Sequence, residues 1–485
     1  MSEYGKRLKA DGIEVPRARR EPVERELHGV TLRDEYHWLR NRDSQQVLDH
    51  LHAENDYAGQ VLEPLKPFIE DLFEEIKTRR KQTDSSVPVR FGEWEYYTRV
   101  VEGLEHPIFC RRPARSDPRD ERAEQILLDV NALAEGGQPV FLGAFKVSLD
   151  QKTLAYSLDE DGSERFTLVF KDLETHELHP ERLPNTSDAI AWARDGRTLF
   201  YIELDDTRRP FRVRRHELGT DPQQDPIVLE EPDERFFVHV ETLRSRRFVS
   251  IAIESKTTSE VRVVDAENPA SEPVCVSPRR EGIEYEIDHH GEWIYLITNE
   301  EAVNFELLRA PVDGLDDLER WQVVLRHDPE VQLDSLDLFA GYLVLWIRAG
   351  GLTGVRIQDL ETGDWHDLEL PEAVYTVRPG ANVDFASTRL RLHYSSPVTP
   401  DSVFDYDMRS RQLILLKRDE IFGEFEPENY EVARVWTEAA DGVQVPISLA
   451  WRKQKGPESS AELPADRPCL LYGYGSYGIS SDPRF

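Results

Sequence analysis

The chain has 485 residues, of which 39% are hydrophobic and 32% charged, a globular composition too long for one ordinary core. No apolar run reaches the 18 residues that a membrane-spanning helix needs. Its 93 acidic residues exceed its 60 basic residues, giving a formal net charge of −33, which argues against nucleic acid as a partner.

The charge pattern and the cysteines bear on the environment of the protein. The basic residues are 12 Lys and 48 Arg, and an acid-rich, Lys-poor composition is typical of proteins in concentrated salt; an acidic, arginine-rich proteome explains it equally well. Cys110, Cys275 and Cys469 form no C-x-x-C pair, which fits a reducing compartment. The first residues, MSEYGKRLKADG, lack an apolar core, so we expect no secretory signal and a cytoplasmic protein.

Residues 1–80 are predicted to be helical. Asp43-Ser44 is the predicted N-cap of a first helix, whose apolar residues follow at helical spacing: Val47, Leu48, Leu51, Ala58, Val61 and Leu62. Pro64 ends this helix and Pro67 opens a second one. The apolar residues of the second helix share one face: Phe68, Ile69, Leu72, Phe73 and Ile76.

Residues 81–425 are predicted to form a β-propeller with seven blades. A turn followed by a β-rich hydrophobic run recurs seven times: GEWEYY (92–97), QKTLAY (151–156), GRTLFY (196–201), RRFVSI (246–251), GEWIYL (291–296), GYLVLW (341–346) and STRLRL (387–392). The ends of consecutive runs are 45 to 59 residues apart. An all-β repeat of about 40–50 residues is typical of propellers with four-stranded blades. The G-H…W-D motifs of WD40 repeats are missing.

Residues 426–485 form a third region with a different pattern. EVARVWTEA (431–439), a turn at Asp441-Gly442 and VQVPISLAWRK (443–453) predict a β-hairpin. A polar loop follows at 453–468, and CLLYGYG (469–475) predicts a buried strand that runs into a glycine-rich turn.

The stretch from Tyr474 to Gly478, YGSYG, is close to the G-x-S-x-G elbow that presents the nucleophile of α/β-hydrolases. The elbow needs glycine two residues before its serine, and Tyr474 occupies that position. None of the 14 histidines follows Ser476, although the histidine comes last in that fold. We therefore predict that Ser476 is not a nucleophile. The stretch fits instead a glycine-rich loop that supplies an oxyanion-hole donor, here a tyrosine hydroxyl; a tight turn lined with packing aromatics remains the alternative.

No metal, cofactor or phosphate site is predicted. H-E-x-x-H is missing, and His289 and His290 are adjacent rather than four apart. Residues 159–162, DEDG, lack the full calcium-loop pattern and predict a hairpin turn. No lysine follows Gly350 and Gly351 as a phosphate loop requires.

Four stretches carry a resemblance that spans essentially the whole chain: HGVTLRDEYHWLRNRD (28–43), VLDHLHAEN (47–55), VPVRFGEWEYYTRVVEGLEHPIFCRR (87–112) and LLYGYGSYG (470–478). They are similar to the prolyl oligopeptidase family, and within it to the oligopeptidase B group. The resemblance implies an α/β-hydrolase domain interrupted by a seven-bladed propeller that admits only short peptides. Residues 1–80 and 426–485 would then be the two ends of the hydrolase domain before the catalytic half, and 81–425 the propeller.

The resemblance also implies roles for two tyrosines. Tyr474 matches the tyrosine whose hydroxyl helps to form the oxyanion hole, and Tyr477 matches an aromatic residue of the pocket for the residue before the scissile bond. Ser476 matches no catalytic position. The nucleophilic serine, the aspartate and the histidine of the family lie beyond Phe485, as do the acidic residues that select Lys or Arg.

The resemblance therefore implies a truncated serine oligopeptidase that acts on short peptides, with cleavage after Lys or Arg, and this chain alone is expected to be inactive. Two alternatives stay open: a non-catalytic propeller that acts as a binding module, and a prolyl-specific peptidase or aminopeptidase of the same architecture. An open reading frame beyond Phe485 favours an enzyme, and a stop favours the binding module. The sequence makes no prediction of oligomeric state.

Overall fold

The computed structural model describes residues 13–117, 120–134, 137, 139–315, 317–453 and 467–485. The chain divides into two compact units, Met1–Lys81 with Ile421–Gly423, and Gln82–Glu420 with Glu424–Phe485. Helices dominate the first unit and strands the second. Within the described ranges, no helix is long and apolar enough to cross a membrane.

The predicted helix pair is present in the first unit. Helix α1 is Gln45–Leu62, and the hydroxyl of its N-cap Ser44 accepts a hydrogen bond from the N–H of Val47 at 3.4 Å. Pro64 lies in the 3-10 turn that follows, because its ring cannot continue the hydrogen-bond ladder of a helix. Helix α2, Lys66–Thr78, starts directly afterwards.

The apolar face of α2 begins just after Pro67 in its first turn, as predicted. Its side chains are exposed within this chain, with Phe68 at 62% and Phe73 at 60% of their full accessibility. The helical pattern is therefore correct, while the burial that normally accompanies an amphipathic helix is missing among the described residues.

The first unit also contains a β-hairpin that the helical prediction for residues 1–80 missed. Strands β1, Val23–Leu27, and β2, Val30–Asp34, pair in antiparallel register. The two turn residues, His28 with φ 51° and Gly29 with φ 75°, both adopt left-handed backbone conformations. The backbone twist of this two-residue turn matches the twist of the flanking strands. Such turns favour Asn-Gly, so His-Gly gives only a weak sequence signal for them.

The described part of the second unit contains six consecutive antiparallel sheets between Asp84 and Arg418. The first has five strands: β3 Asp84–Ser85, β4 Val89–Phe91, β5 Trp94–Val100, β6 Ile108–Pro113 and β7 Gln125–Asp129, followed by the short helix α3 Val130–Leu133. The second has seven: β8 Phe141–Val147, β9 Thr153–Asp159, β10 Phe166–Asp172, β11 Leu183–Trp192, β12 Thr198–Leu204, β13 Pro210–Glu217 and β14 Ile227–Glu230.

The remaining four sheets have four strands each, in sequential order. They are β15 Phe237–Thr242, β16 Phe248–Glu254, β17 Ser259–Asp265 and β18 Val274–Ser277; then β19 Tyr285–His290, β20 Trp293–Thr298, β21 Glu306–Pro311 and β22 Gln322–Leu325; then β23 Val331–Leu338, β24 Tyr342–Ala349, β25 Leu352–Asp359 and β26 Trp365–Asp367; and finally β27 Thr376–Pro379, β28 Arg389–Ser396, β29 Thr399–Asp407 and β30 Gln412–Arg418.

The seven-stranded sheet differs from the separate four-stranded sheets that the repeat predicted, because strand β11 is shared. Leu183, at its start, pairs with β10, Ile190 to Trp192 pair with β12, and Thr186 pairs with both strands. The register shifts between Thr186 and Ile190, so the strand bends between its two partners. Its first half completes one set of four strands, and its second half begins the next.

The seven predicted runs overlap seven strands, each of which pairs with a neighbour on both sides: β5, β9, β12, β16, β20, β24 and β28. In six of these strands most residues are buried, whereas the residues of β5 are half-buried or exposed. In β24, for example, the first six residues are all buried. A strand that is buried along most of its length gives a nearly continuous apolar run, which is the pattern that predicted these strands.

The hydrophobic core is divided among the interfaces between consecutive sets of strands. The described residues form six buried clusters, and each joins one set to the next. In one of them Ile202 of β12 and Val240 of β15, both completely buried, contribute from opposite sides. The last and first sheets meet through polar contacts: Lys417 donates to the carbonyl of Ser85 at 2.7 Å and pairs with Asp84.

For the end of the chain, the predicted hairpin is confirmed and the predicted buried strand is wrong. Strands β31, Tyr430–Glu438, and β32, Gln444–Arg452, form the predicted hairpin. Most of the predicted loop lies outside the described residues. The predicted strand at 469–475 is absent, and Leu470 and Leu471 are 92% and 87% exposed, because no described strand pairs with this stretch or covers it.

Candidate active-site loop

The candidate loop, residues 470–478, ends in the 3-10 turn Ser476–Gly478. The N–H of Ile479 donates to the carbonyl of Ser476 at 3.1 Å. Tyr477 has φ 58° and Gly478 has φ 72°. Glycine adopts this left-handed conformation freely, whereas for tyrosine it is unfavourable, so contacts outside the turn are needed to hold Tyr477 in place.

Two of the three tyrosines of this loop, Tyr474 and Tyr477, carry the predicted roles, and both side chains are exposed. Tyr474 is 51% and Tyr477 is 74% exposed. A Cβ atom built on Gly473 or Gly475 would meet no atom within 4 Å, so the loop backbone is also uncrowded. A ligand can therefore approach both the tyrosine side chains and the peptide groups between them.

Ser476 lies between these tyrosines on the same turn and is exposed. In the part of the chain that the structure describes, no histidine forms a hydrogen bond with its hydroxyl. A serine nucleophile needs a base within hydrogen-bond reach, and the described residues do not provide one.

The DEDG stretch forms the predicted hairpin turn between β9 and β10. The Asp159 carboxylate accepts hydrogen bonds from the N–H groups of Asp161, at 3.1 Å, and Gly162, at 2.9 Å. No group of His, Cys, Asp or Glu side chains that could hold a metal ion occurs within the described residues.

Lys256 contacts the candidate loop from the turn between β16 and β17. Its Nζ donates to the carbonyl oxygen of Tyr477 at 2.9 Å. The same Nζ lies 5.6 Å from the centroid of the Tyr477 ring, within the range of a cation–π interaction. One cation thus contacts both the backbone and the side chain of the left-handed residue.

The residues after the loop are held by the sheets from β23 to β30. Arg348 on β24 forms two hydrogen bonds with the Asp482 carboxylate, at 2.6 and 3.3 Å. The hydroxyl of Thr376 donates to the carbonyl of Pro483 at 2.6 Å. At the last residue, the N–H of Phe485 donates to the Ser395 hydroxyl at 3.1 Å.

The Arg348–Asp482 pair is partly buried, and its electrostatics reflect that position. Only 21% of the Arg348 and 14% of the Asp482 side chain is exposed. The hydrogen bond to Asp482 raises the pKa of Arg348, against the opposing effect of burial. A second carboxylate, Asp334, lies 3.8 Å from the guanidinium; burial raises its pKa, which Arg348 partly offsets.

A cavity of about 500 Å³ lies among the first strands of several sets. Its wall combines the Trp192 ring with charged side chains, among them Lys146, Glu241, Glu286 and Asp337. Desolvation of the carboxylate by the surrounding wall, followed by the like charges of Glu241 and Asp337, raises the pKa of Glu286 to about 8.

Asp288 lines the same cavity, and its side chain is almost fully buried. It accepts hydrogen bonds from the N–H groups of His289 and Leu338, both at 2.7 Å, and Arg244 lies 3.8 Å away. Burial raises the pKa of Asp288 to about 7, and the Arg244 charge only partly opposes this rise.

Lys256, Arg348 and Asp482 were not predicted from the sequence. Lys256 and Tyr477 are 221 residues apart, and Arg348 and Asp482 are 134 apart. None of these residues belongs to a local motif, so no pattern in the sequence indicates them.

The sequence matches the family described as "Prolyl oligopeptidase, N-terminal beta-propeller domain" over residues 16–419. This match covers most of the chain, which therefore belongs to the prolyl oligopeptidase family. The successive antiparallel sheets described above are accordingly those of a β-propeller domain.

Two curated relatives and one solved structure illustrate the similarity. The chain is 35% identical to dipeptidyl aminopeptidase BI of Pseudoxanthomonas mexicana over 96% of its own length and 66% of the relative. It is 32% identical to protease 2 of Moraxella lacunata, over 98% of this chain and 67% of the relative. The structure of oligopeptidase B from Leishmania major matches with a TM-score of 0.88 at 28% identity, over 97% of this chain and 69% of that one.

The chain thus spans about two thirds of the length of these relatives. Both curated relatives carry the names of peptidases, and the match places this chain in the part of the family that contains the propeller.

Proposed function

We propose that this chain is the propeller-bearing part of a cytoplasmic serine oligopeptidase of the oligopeptidase B type, which cleaves short peptides after Lys or Arg. The observation that carries the proposal is the open loop at residues 470–478, which presents Tyr474 and Tyr477 in a chain of the prolyl oligopeptidase family. In the whole protein, the serine, aspartate and histidine of the catalytic triad would come from the remaining third of the length.

Tyr474 and Tyr477 have different proposed roles at this loop. The Tyr474 hydroxyl donates a hydrogen bond to the oxyanion that forms when the serine attacks the peptide carbonyl. The Tyr477 ring lines the pocket for the residue before the scissile bond. The exposure of both side chains and the free space at Gly473 and Gly475 support these roles.

We further propose that residues 81–425 close into a ring of seven four-stranded blades that limits the size of the substrate. The sharing of β11 supports this count, since the seven-stranded sheet comprises two sets of four that have one strand in common. The contact of Lys417 with Ser85 supports closure between the last and first sheets. A crystal structure with six blades, or with the last and first sheets apart, would contradict this proposal.

Residues 1–80 and 426–485 are proposed to be the two ends of the hydrolase domain. The exposed apolar side chains of α2 and of residues 470–471 support this division, because such side chains normally pack against further structure.

The function is tested by extending the chain through a catalytic half and measuring hydrolysis of fluorogenic peptides that end in Lys, Arg or Pro. We expect cleavage after Lys and Arg, inhibition by a serine-reactive phosphonate, and no activity of the 485-residue chain alone. Cleavage only after Pro would favour a prolyl-specific enzyme. A protein extended in this way that folds but hydrolyses none of the peptides would favour a binding module.

An aminopeptidase is the second candidate, because the relative with 35% identity carries that name. Peptides with a blocked N-terminus separate the two activities. An aminopeptidase requires a free N-terminus, whereas an endopeptidase of the oligopeptidase B type cleaves both forms.

A further inference from the structure

The candidate loop and the propeller sheets lie in the same compact unit. Residues 424–485 group with residues 82–420, although the sequence assigned 426–485 to a separate domain. The contacts that join the loop to the sheets begin at Tyr477 and continue to Phe485, whereas the two leucines before it at 470–471 are almost fully exposed.

Two cations provide the charged contacts in this segment. Lys256 binds the carbonyl of Tyr477, which is held in an unfavourable left-handed conformation, and its charge also lies over the Tyr477 ring. Arg348 binds Asp482 through two nitrogen–oxygen contacts, a geometry that defines the orientation of the partner better than a single bond does. Lys256 comes from the turn after β16 and Arg348 from β24, so two different sheets set the position of one loop.

The two contacts act at different points along the segment, so each restrains a different part of it. The Lys256 contact fixes the turn at Tyr477, three residues after Tyr474. The Arg348 contact holds the chain at Asp482, five residues after Tyr477. Oxyanion stabilisation requires the donor to lie at hydrogen-bond distance, about 2.7–3.1 Å, from the oxyanion, and small displacements weaken it, so a loop with an uncrowded backbone depends on such contacts.

We propose that Lys256 and Arg348 are positioning residues that hold the Tyr474–Tyr477 loop in its working geometry, so that the propeller forms part of the framework of the catalytic site. The inference rests on the proposed function for its catalytic consequence. Its structural consequence can be measured in the chain as it is.

The structural test is hydrogen–deuterium exchange of the 485-residue chain, followed by mass spectrometry. We expect Lys256→Met and Arg348→Gln to increase the exchange rate of the peptide 476–485 about 3- to 10-fold, with no change in β16 or β24. Lys256→Arg keeps the cation and should restore slow exchange. Unchanged exchange of the peptide 476–485 in Lys256→Met would overturn the inference.

The chain offers a matched control variant for each of the two cations. Arg356 on β25 pairs with Asp367 at 2.7 and 3.0 Å, so Arg356→Gln removes a similar ion pair that does not contact the segment. Lys152 is an exposed lysine whose side chain donates no hydrogen bond to any described residue, and Lys152→Met removes a lysine charge. Both controls should leave exchange at 476–485 unchanged; an equal increase in the controls would overturn the inference.

The catalytic test uses the chain extended through its catalytic half. Lys256→Met should lower kcat about 3- to 10-fold with a smaller change in KM, and Lys256→Arg should recover most of the loss. If Tyr474→Phe lowers kcat while Lys256→Met leaves it unchanged, the positioning inference is wrong and the proposed function stands. If neither variant changes kcat although exchange increases in Lys256→Met, the proposed oxyanion role is wrong.

Discussion

Arg348 and Asp482, 134 residues apart in the chain, form an ion pair with two nitrogen–oxygen contacts. This pair binds the segment near Phe485 to a central strand of a propeller sheet. The pair connects strand β24 to the segment that follows the candidate loop, and most of its surface is shielded from solvent. The position of the loop therefore depends on a side chain from the propeller sheets as well as on the turn at Ser476–Gly478.

A double-mutant cycle should measure this connection. We expect Arg348→Gln and Asp482→Asn to give a coupling of about 1–2 kcal/mol in the free energy of unfolding in urea, more than an exposed pair provides, because both partners are partly buried. The exposed pair of Arg194 and Glu267 is the control cycle, for which we expect about 0–0.5 kcal/mol. Equal coupling in the two cycles would show that the burial of Arg348 has no consequence.

Two variants should separate the proposed roles of the candidate loop. In a chain extended through its catalytic half, Tyr474→Phe removes only the hydroxyl and should lower kcat/KM by roughly 10²–10³-fold, the usual effect of losing one oxyanion donor. Ser476→Ala should leave kcat/KM nearly unchanged, because Ser476 lies on an exposed turn. Loss of activity in Ser476→Ala together with full activity in Tyr474→Phe would reverse the assignment of this loop.

A buried polar triad in the propeller should be important for stability. Asp225 accepts a hydrogen bond from the Tyr201 hydroxyl at 3.0 Å, and its other oxygen lies 2.9 Å from Nδ1 of His216. All three residues are buried. Asp225→Leu should cost about 2–5 kcal/mol in the free energy of unfolding, because it leaves two buried polar groups without their partner.

The control for Asp225 is the same kind of change at an exposed position. Asp364→Leu, on a surface turn, should change the free energy of unfolding by less than about 0.5 kcal/mol. A similar small effect of Asp225→Leu would mean that the triad contributes little.

The cavity carboxylates should make stability fall as the pH rises. Because the pKa of Glu286 is about 8 in the folded protein and near 4.5 when unfolded, the folded state binds more protons between these values. The contribution of Glu286 to the free energy of unfolding is therefore most favourable below pH 4.5 and is lost as the pH rises through 8. Asp288, with its pKa raised to about 7, acts in the same direction.

Glu286→Gln should therefore raise the melting temperature at pH 8 by about 1–2 °C and leave it nearly unchanged at pH 4.5. Glu330→Gln, at an exposed position outside the cavity, should have the same small effect at both pH values. A Glu286→Gln variant less stable than the parent at pH 8 would show that the charge of Glu286 is favourable where it lies.

Salt should stabilise the protein because the net charge of −33 causes self-repulsion that salt screens. Salt also weakens ion pairs such as that of Arg212 with Glu230, so the melting temperature reports the balance of both effects. We expect a higher melting temperature in molar KCl than at low salt. A melting temperature that is unchanged or lower in molar KCl would contradict adaptation to concentrated salt and favour an acidic, arginine-rich proteome as the origin of the composition.

Elements whose signal is local can be predicted from the amino-acid sequence of this protein. Ser44 and Pro64 mark the ends of the first helix because capping and proline effects act within a few residues. The seven apolar runs predict strands that pair on both sides, because six of these strands are buried along most of their length and therefore give nearly continuous apolar runs. The family resemblance is also contained in the residues themselves, in stretches such as HGVTLRDEYHWLRNRD (28–43), which lies within the residues that the family matches.

Features that depend on residues far apart in the chain arise only in the folded protein. Strand β11 bends to serve two partners because of how neighbouring sheets meet, and its own residues give no sign of this. An apolar stretch such as CLLYG becomes a buried strand only where another strand pairs with it and covers it. The contacts of Lys256 with Tyr477 and of Arg348 with Asp482 arise when separate sheets bring these side chains together, and sequence periodicity carries no information about such pairs.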